Sequence, residues 1–441
     1  MGDRSKEEQP ALVFARTTQV GEVCPPGRAE PSIWSSRMLA ALGNGVQGGK
    51  WYSLGDKAFS VKALDTAFTR VRANDGAPGV DGWTVERFDR SREANLSRIS
   101  SELMAGTYRP GPVKRVYIPK PGSKEKRPLG IPTVRDRTVQ GVLKAALEPI
   151  FEMKFRNGSY GFRPGRSCHQ ALRRVWLGLQ AGLVYVVDAD LRKFFDTIPH
   201  EVIMRGLESE VSDGKVLSLV RSYLEQGVME GGVILPGDEE DETGVPQGSP
   251  LSPLLANIAL HDLDALMEDS GYELVRYADD FVILCKTREQ AEAALEAVKG
   301  WTLSVDLWLH PEKTRIVDYG GKETFEFLGH LFKDGKVYPR DKSYKNIRDK
   351  IRAKTPRHTG KSLQAVIANL NPILRGWARY FRYCPRGSLD RVDKFVRRRL
   401  RHMLDVSQGR RPIWGGTSNN RWPNAYFAKQ GLYSMTDACR S

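Results

Sequence analysis

Residues 275–285 read VRYADDFVILC, two apolar runs, 275–277 and 281–285, on either side of the adjacent acids Asp279 and Asp280. The runs have the β-branched and aromatic character of strands, so the acids are expected at the turn of a hairpin. A solvated face would disperse its carboxylates, whereas a hairpin turn presents two together, as a divalent cation requires. Between apolar strands, unpaired acids would be costly to bury, and a bound metal would supply the compensation. Upstream, VYVVDADLRKFFD at 184–196 places a third acid, Asp190, at the end of another apolar strand. Adjacent acids alone are a weak signal, since turns commonly carry Asp; the three together point to a polymerase site.

The 441 residues, 40% hydrophobic and 27% charged, are enough for more than one core, and two or three domains are expected. The net charge of +15 is regional: residues 341–441 hold 23 Lys and Arg against six Asp and no Glu. That segment also carries Trp377, Tyr380, Phe381, Tyr383, Trp414, Trp422, Tyr426 and Phe427. Cations interleaved with stacking surfaces suit nucleic acid. No long apolar run offers a membrane span, so no membrane partner is expected. Five cysteines without paired spacing give neither a disulfide framework nor a CxxC metal site. The opening MGDRSKEEQP lacks a signal-peptide pattern, and a cytoplasmic location is the default.

Residues 1–30, polar and broken by prolines, are expected to be poorly ordered. Phe59, Leu64 and Phe68 are spaced for a helix face. Residues 109–134 read as a strand pair with a basic surface, and TVQGVLKAALEPIFEMKF (138–155) as a helix packed beneath it. From 183 to about 333, strands and helices alternate as in an α+β sheet domain, with PEKTRIV and TFEFLGHLF as edge strands. Beyond Asp341 the pattern is helical and basic, and a boundary is expected near 335–345, at the step in charge.

At this point the chain closely resembles the reverse transcriptases encoded by bacterial group II introns. The likeness is carried in order by GAPGVDGWT (76–84), RPLGIPTVRDRTVQ (127–140), SYGFRPGRS (159–167), VDADLRKFFDTIPH (187–200), GVPQGSPLSPLLANIAL (244–260), RYADDFVIL (276–284), HPEKTRIV (310–317) and FEFLGH (325–330). The resemblance implies an α+β right-hand polymerase followed by a basic helical maturase domain. Its divisions would be an N-terminal extension with fingers at 31–182, a palm at 183–335 and a thumb with maturase at 336–441. It implies Asp190, Asp279 and Asp280 as the catalytic acids holding two Mg²⁺ ions, with the Leu191 backbone a further candidate ligand. Lys120 and Arg127 match positions that contact the incoming dNTP. Phe195 matches the ring beneath the nucleotide sugar, where it would collide with a ribose 2′-hydroxyl, and Gln247 can bond near the sugar or template base.

Gly244 and Gly248 in GVPQGSP would let the backbone approach a nucleotide; many relatives carry a second glycine where this chain has Ser249. Arg163, with Arg166 beside it, is expected to hold template phosphate or stack on a base. Arg375, Arg379 and Arg382 are expected to reach RNA phosphates while Ile373, Leu374, Trp377 and Phe381 pack. The implied partners are the host intron RNA, which the protein would copy and help to splice, and a DNA primer or target, with association to the nucleoid when DNA is bound. The oligomeric state stays open. Relatives often continue into an HNH endonuclease; the seven scattered His here form no such cluster, and a form without it is expected. Two alternatives remain at this stage, a splicing maturase with a silent polymerase and a domesticated reverse transcriptase without an intron.

Overall fold

A computed structural model describes residues 29–46, 48–119, 126–235, 242–356, 360–410 and 416–438; residues 1–28 and Lys120 lie outside them. Two compact units divide the chain between Ile316 and Val317.

In the first unit, Ser60 accepts a hydrogen bond from the Ala63 N–H and starts the helix Val61–Asn74, whose Leu64 and Phe68 are fully buried. Strands β1 (Val113–Pro119) and β2 (Lys126–Ile131) pair antiparallel, as their alternation of basic and apolar residues predicts. The helix Val134–Glu152 follows, capped by Thr133. Expected to lie beneath the strand pair, it packs instead mainly on the helix Val61–Asn74. Only Val113 of the β1–β2 ribbon is buried, whereas Leu64 and Phe68 share one core with the helix's own stripe of Val139, Leu143, Ala146 and Ile150.

The strand β3 (Tyr185–Asp190) lies in a second sheet; β4 (Val228–Glu230) and β5 (Val233–Leu235) extend the first, whose order is β2-β1-β4-β5. β6 (Glu273–Tyr277), β7 (Asp280–Cys285) and β8 (Arg315–Asp318) complete the second, ordered β6-β7-β3-β8. The division between the units falls inside β8. The helices Cys168–Gln180, His261–Asp269 and Arg288–Ser304 pack on this sheet. Val186, Val187, Phe281, Val282 and Ile283, all fully buried, form its interior.

The second unit holds β9 (Phe325–Phe327), β10 (His330–Lys333) and β11 (Lys336–Pro339), a sheet of its own ordered β11-β10-β9. TFEFLGHLF is therefore a hairpin inside a separate sheet, not an edge strand of the first unit. Phe325 and Phe332 stack across it with centroids 4.7 Å apart. The Tyr380 hydroxyl donates to the Leu328 carbonyl at 2.9 Å, and the His330 ring lies 4.7 Å from that of Phe381. These contacts tie the small sheet to the helix Leu363–Tyr380, which explains why the unit begins before the charge step near 335–345. Ile347, Ile351, Leu370, Leu374, Val396 and Leu400 fill its core, leaving Arg375, Arg379 and Arg382 exposed. Asp393, in the helix Arg386–Ser407, accepts from the Met435 and Thr436 N–H groups and so holds the start of the helix Met435–Ala438.

A fully buried guanidinium organises the first unit. Arg276 of β6 donates Nε to Asp264 Oδ1 at 2.6 Å and a second bond to Asp264 Oδ2. It also reaches Asn257 Oδ1 at 3.1 Å, Ser159 Oγ at 2.9 Å and the Ala278 carbonyl at 2.9 Å. Two helices, the 158–161 segment and the β6–β7 turn thus meet on one side chain. Replacing it leaves the buried Asp264 carboxyl without its partner. Arg276→Met is expected to lower unfolding free energy by about 3–5 kcal/mol in denaturant titration. Adding Asp264→Leu should restore much of that loss.

Candidate active site

β6 and β7 are joined by a two-residue turn, since Tyr277 pairs with Asp280 and leaves Ala278 and Asp279 between them. Ala278 adopts φ +61°, the left-handed conformation that tight hairpin turns require. Its N–H also lies too close to Gly161 for that residue to carry a Cβ. On the other side β7 pairs with β3, and the register sets Asp190 directly opposite Asp280. Asp190, remote in sequence, therefore comes to the same end of the sheet as Asp279 and Asp280.

Burial raises the pKa of Asp279 above the ordinary carboxylate range, and the charge of Asp190 adds to the rise. Its own backbone N–H and the charges of Arg127 and Lys313 pull it back down. Asp190 is ion-paired to the Lys313 ammonium through Oδ2, and Asp188, two residues earlier on β3, faces Arg315 Nε at 3.6 Å. Among the described residues no three His, Cys, Asp or Glu side chains are grouped to hold a metal ion. Asp190 is turned to the ammonium beside it. The donor set still suits a hard cation. Carboxylate oxygens are the ligands Mg²⁺ prefers, and Asp190 already takes a positive charge from Lys313.

Phe194 is core, and Phe195 is half-buried beside it at the wall of a cavity of about 430 Å³ that Arg115, Tyr117, Asp196, Gly244 and Gln247 also line. Gln247 donates Nε2 to Asp196 Oδ1 at 3.2 Å. The glycines of GVPQGSP meet protein backbone. A Cβ on Gly248 would come within 2.4 Å of the Gly130 carbonyl oxygen of β2, and one on Gly244 within 3.1 Å of the Asp196 carbonyl oxygen. Arg127 is exposed on β2, and Lys120 lies outside the described residues. The Leu191 side chain is buried, and its residue bridges to Leu309.

Arg163 is not at the surface. Its guanidinium is clamped by Glu152, with Nη2 2.7 Å from Oε1, and donates to the Arg156 and Ser159 carbonyls at 2.7 and 2.9 Å. A fork so engaged in the interior anchors its own loop, and the expected template contact does not hold for it. Arg166 is half-exposed, bonded to Asn157 and set over the Tyr160 ring. In the second unit Arg375 lies over Tyr433 and Arg382 over Tyr383.

The sequence reading assigned no role to Lys313, Arg276 or Phe162. Lys313 could have been found, since Lys313 and Arg315 repeat the two-residue spacing of Asp190 and Asp188, a pattern that lets a strand and the turn leading into it meet the charges of a facing strand. Arg276 lies within a strand run, and nothing local reveals its burial.

A sheet ending in paired acids beside a basic ribbon is the arrangement of a nucleotide polymerase, and residues 118–332 match the family model described as reverse transcriptase (RNA-dependent DNA polymerase). Residues 344–411 match the group II intron, maturase-specific domain. Protein YkfC of Escherichia coli (strain K12) is 36% identical over 292 residues, covering 57% of this chain and 75% of YkfC. The group II intron-encoded protein LtrA of Lactococcus lactis subsp. cremoris is 38% identical over 198 residues, 45% of this chain and 32% of LtrA. A chain of a partial Cas6-RT-Cas1–Cas2 complex aligns over 57% of this chain and 42% of its own length, at 26% identity and a TM-score of 0.35, too loose to bear an argument. The chain belongs to the family of group II intron-encoded reverse transcriptases with a maturase domain. Among the described residues no helix is long and apolar enough to cross a membrane.

Since Asp279 is held above its unfolded pKa, the folded protein loses stability as pH rises from the ordinary carboxylate range, about 4, through the folded value. In a chelating buffer Asp279→Asn is therefore expected to melt above the native chain at pH 7. The gain should shrink on acidification; equal melting at pH 7 would contradict the burial account.

Proposed function

We propose that the protein is an RNA-directed DNA polymerase that copies its host group II intron RNA from a DNA primer and assists the splicing of that RNA. The single observation that carries this reading is the strand register that sets Asp190 opposite Asp280, beside Asp279 at the turn. On this reading 31–182 are the N-terminal extension and fingers, 183–335 the palm and 336–441 the thumb and maturase domain.

Asp190, Asp279 and Asp280, with the Leu191 backbone as a further candidate, are the residues that would hold Mg²⁺. Two such ions, when bound, lower the charge on the triphosphate and make the primer 3′-hydroxyl more acidic. The chain's own contribution is orientation and electrostatics. Arg127, already within electrostatic range of Asp279, offers a planar fork to phosphate oxygens, and Lys120 would stand with it. The primer oxygen attacks the α-phosphate in line, and pyrophosphate leaves. Phe195, at the cavity wall beside Gln247, would close the space a ribose 2′-hydroxyl needs, so dNTP is preferred to NTP. Arg166 would help hold the template.

In splicing, the intron RNA would carry out its own transesterifications while the protein holds its fold. The exposed Arg375, Arg379 and Arg382 supply the phosphate contacts on the second unit. This role needs a binding surface and none of the three acids. DNA contact follows from priming.

Primer extension on an RNA template with dNTP and Mg²⁺ tests the reading. Asp279→Asn should lose synthesis by at least about a hundredfold, with a much smaller loss in splicing of the host RNA. Equal loss of both, in a protein that still folds and binds RNA, would refute the separation of roles. Phe195→Val should raise single-nucleotide incorporation of rNTP relative to dNTP, and an unchanged ratio would remove Phe195 from the sugar site.

A further inference from the structure

The GFRPG motif displays a side chain other than its arginine. Arg163 is clamped inward, while Phe162, immediately before it, is 46% exposed. Phe162 has φ +60°, a left-handed conformation that a bulky residue rarely adopts and that Gly or Asn would accept without strain. Such strain persists only where the surroundings over-determine it, and here they do. On one side the Gly161 carbonyl accepts from Asn257 Nδ2 at 2.9 Å, and a Cβ on Gly161 would stand 2.3 Å from the Ala278 nitrogen. On the other, Arg163 is bonded to Glu152 and two carbonyls. The loop is pinned at both flanks, and the ring between them is turned outward.

The ring faces the site already described. Its centroid lies 6.4 Å from that of Phe195, with the planes at 80°, and 6.5 Å from that of Tyr277, the residue before the Ala278–Asp279 turn. Simple packing does not explain this, because a residue kept only to cover Phe195 and Tyr277 would not leave nearly half its surface in water. An exposed aromatic face beside the acids and the sugar-facing ring can take the flat surface of a base. We propose that Phe162 is a positioning residue that stacks on a nucleobase of the nascent base pair. The inference rests on the polymerase reading and adds to it a contact with the base, where the acids and Phe195 concern phosphate and sugar.

The test is binding of a DNA primer annealed to an RNA template, in chelator and without dNTP, with the templating residue either an intact base or an abasic site. Phe162→Gly is the informative variant, because it removes the ring while relieving the backbone, so folding is preserved. It should weaken binding of the intact template about tenfold, the size expected for loss of one stacked base. It should leave binding of the abasic template unchanged, and Phe162→Trp should restore the difference. If the ring stacks on the incoming base instead, the affinity ratio stays as in the native chain and KM for dNTP rises in Phe162→Gly. An unchanged ratio together with an unchanged KM, in a native chain that extends primers, overturns the stacking role alone. Failure of the native chain to extend any primer overturns the polymerase reading, and this inference with it.

Discussion

Everything at the acidic end of the sheet depends on one desolvated guanidinium. Arg276 is fully buried, and a charge there is tolerable only because Asp264 meets it bidentately and Asn257, Ser159 and the Ala278 carbonyl take its remaining donors. The stability gained from such a pair is small compared with a well-packed apolar substitute. Its effect is geometric, because four partner groups must be in place at once to receive its five hydrogen bonds. Arg276 holds the turn carrying Asp279 by the Ala278 carbonyl. The same side chain lies beside the 158–161 segment, so the turn and the loop bearing Phe162 share one anchor.

Around that anchor the site is built from opposed charges left near water. Asp188 faces Arg315 of the neighbouring strand and Asp190 faces Lys313 in the turn before it, and Asp279 sits between the charge of Asp190 and those of Arg127 and Lys313. A ligand bringing positive charge to Asp190 must compete with the Lys313 ammonium. A ligand bringing negative charge finds Arg127 already close. Both fit a site that receives a phosphate chain with its counter-ions, and the half-exposure of these residues lets the exchange occur without unfolding.

The motifs that pointed to function differ in what the structure does with them. VDAD and YADD keep the strands and turn read from their apolar flanks, because alternation and burial are local properties of a strand. GFRPG departs from its reading, since an arginine in sequence carries no mark of whether Glu152, eleven residues back on a helix, will meet it. GVPQGSP keeps its glycines for contacts with Gly130 and Asp196, where a bare backbone is needed by another backbone. FEFLGHLF is a hairpin as its pattern allows, but its sheet and its partner helix are long-range choices.

What the sequence by itself determined was therefore local. Strand and helix periods, the hairpin around Asp279 and Asp280, the basic helical segment beyond Asp341 and the ordered family motifs follow from neighbours within a few residues. Only the tertiary structure decided that Arg276 and Arg163 are interior clamps, that Asp190 is opposite Asp280 and paired to Lys313, and that Phe162 is the residue turned outward. The reason is physical. Whether a charge is buried, and what meets it, depends on residues outside its own strand or loop, near in the chain as Glu152 is to Arg163 or remote as Ser159 is to Arg276 and Asp190 to Lys313, and no local pattern encodes that meeting.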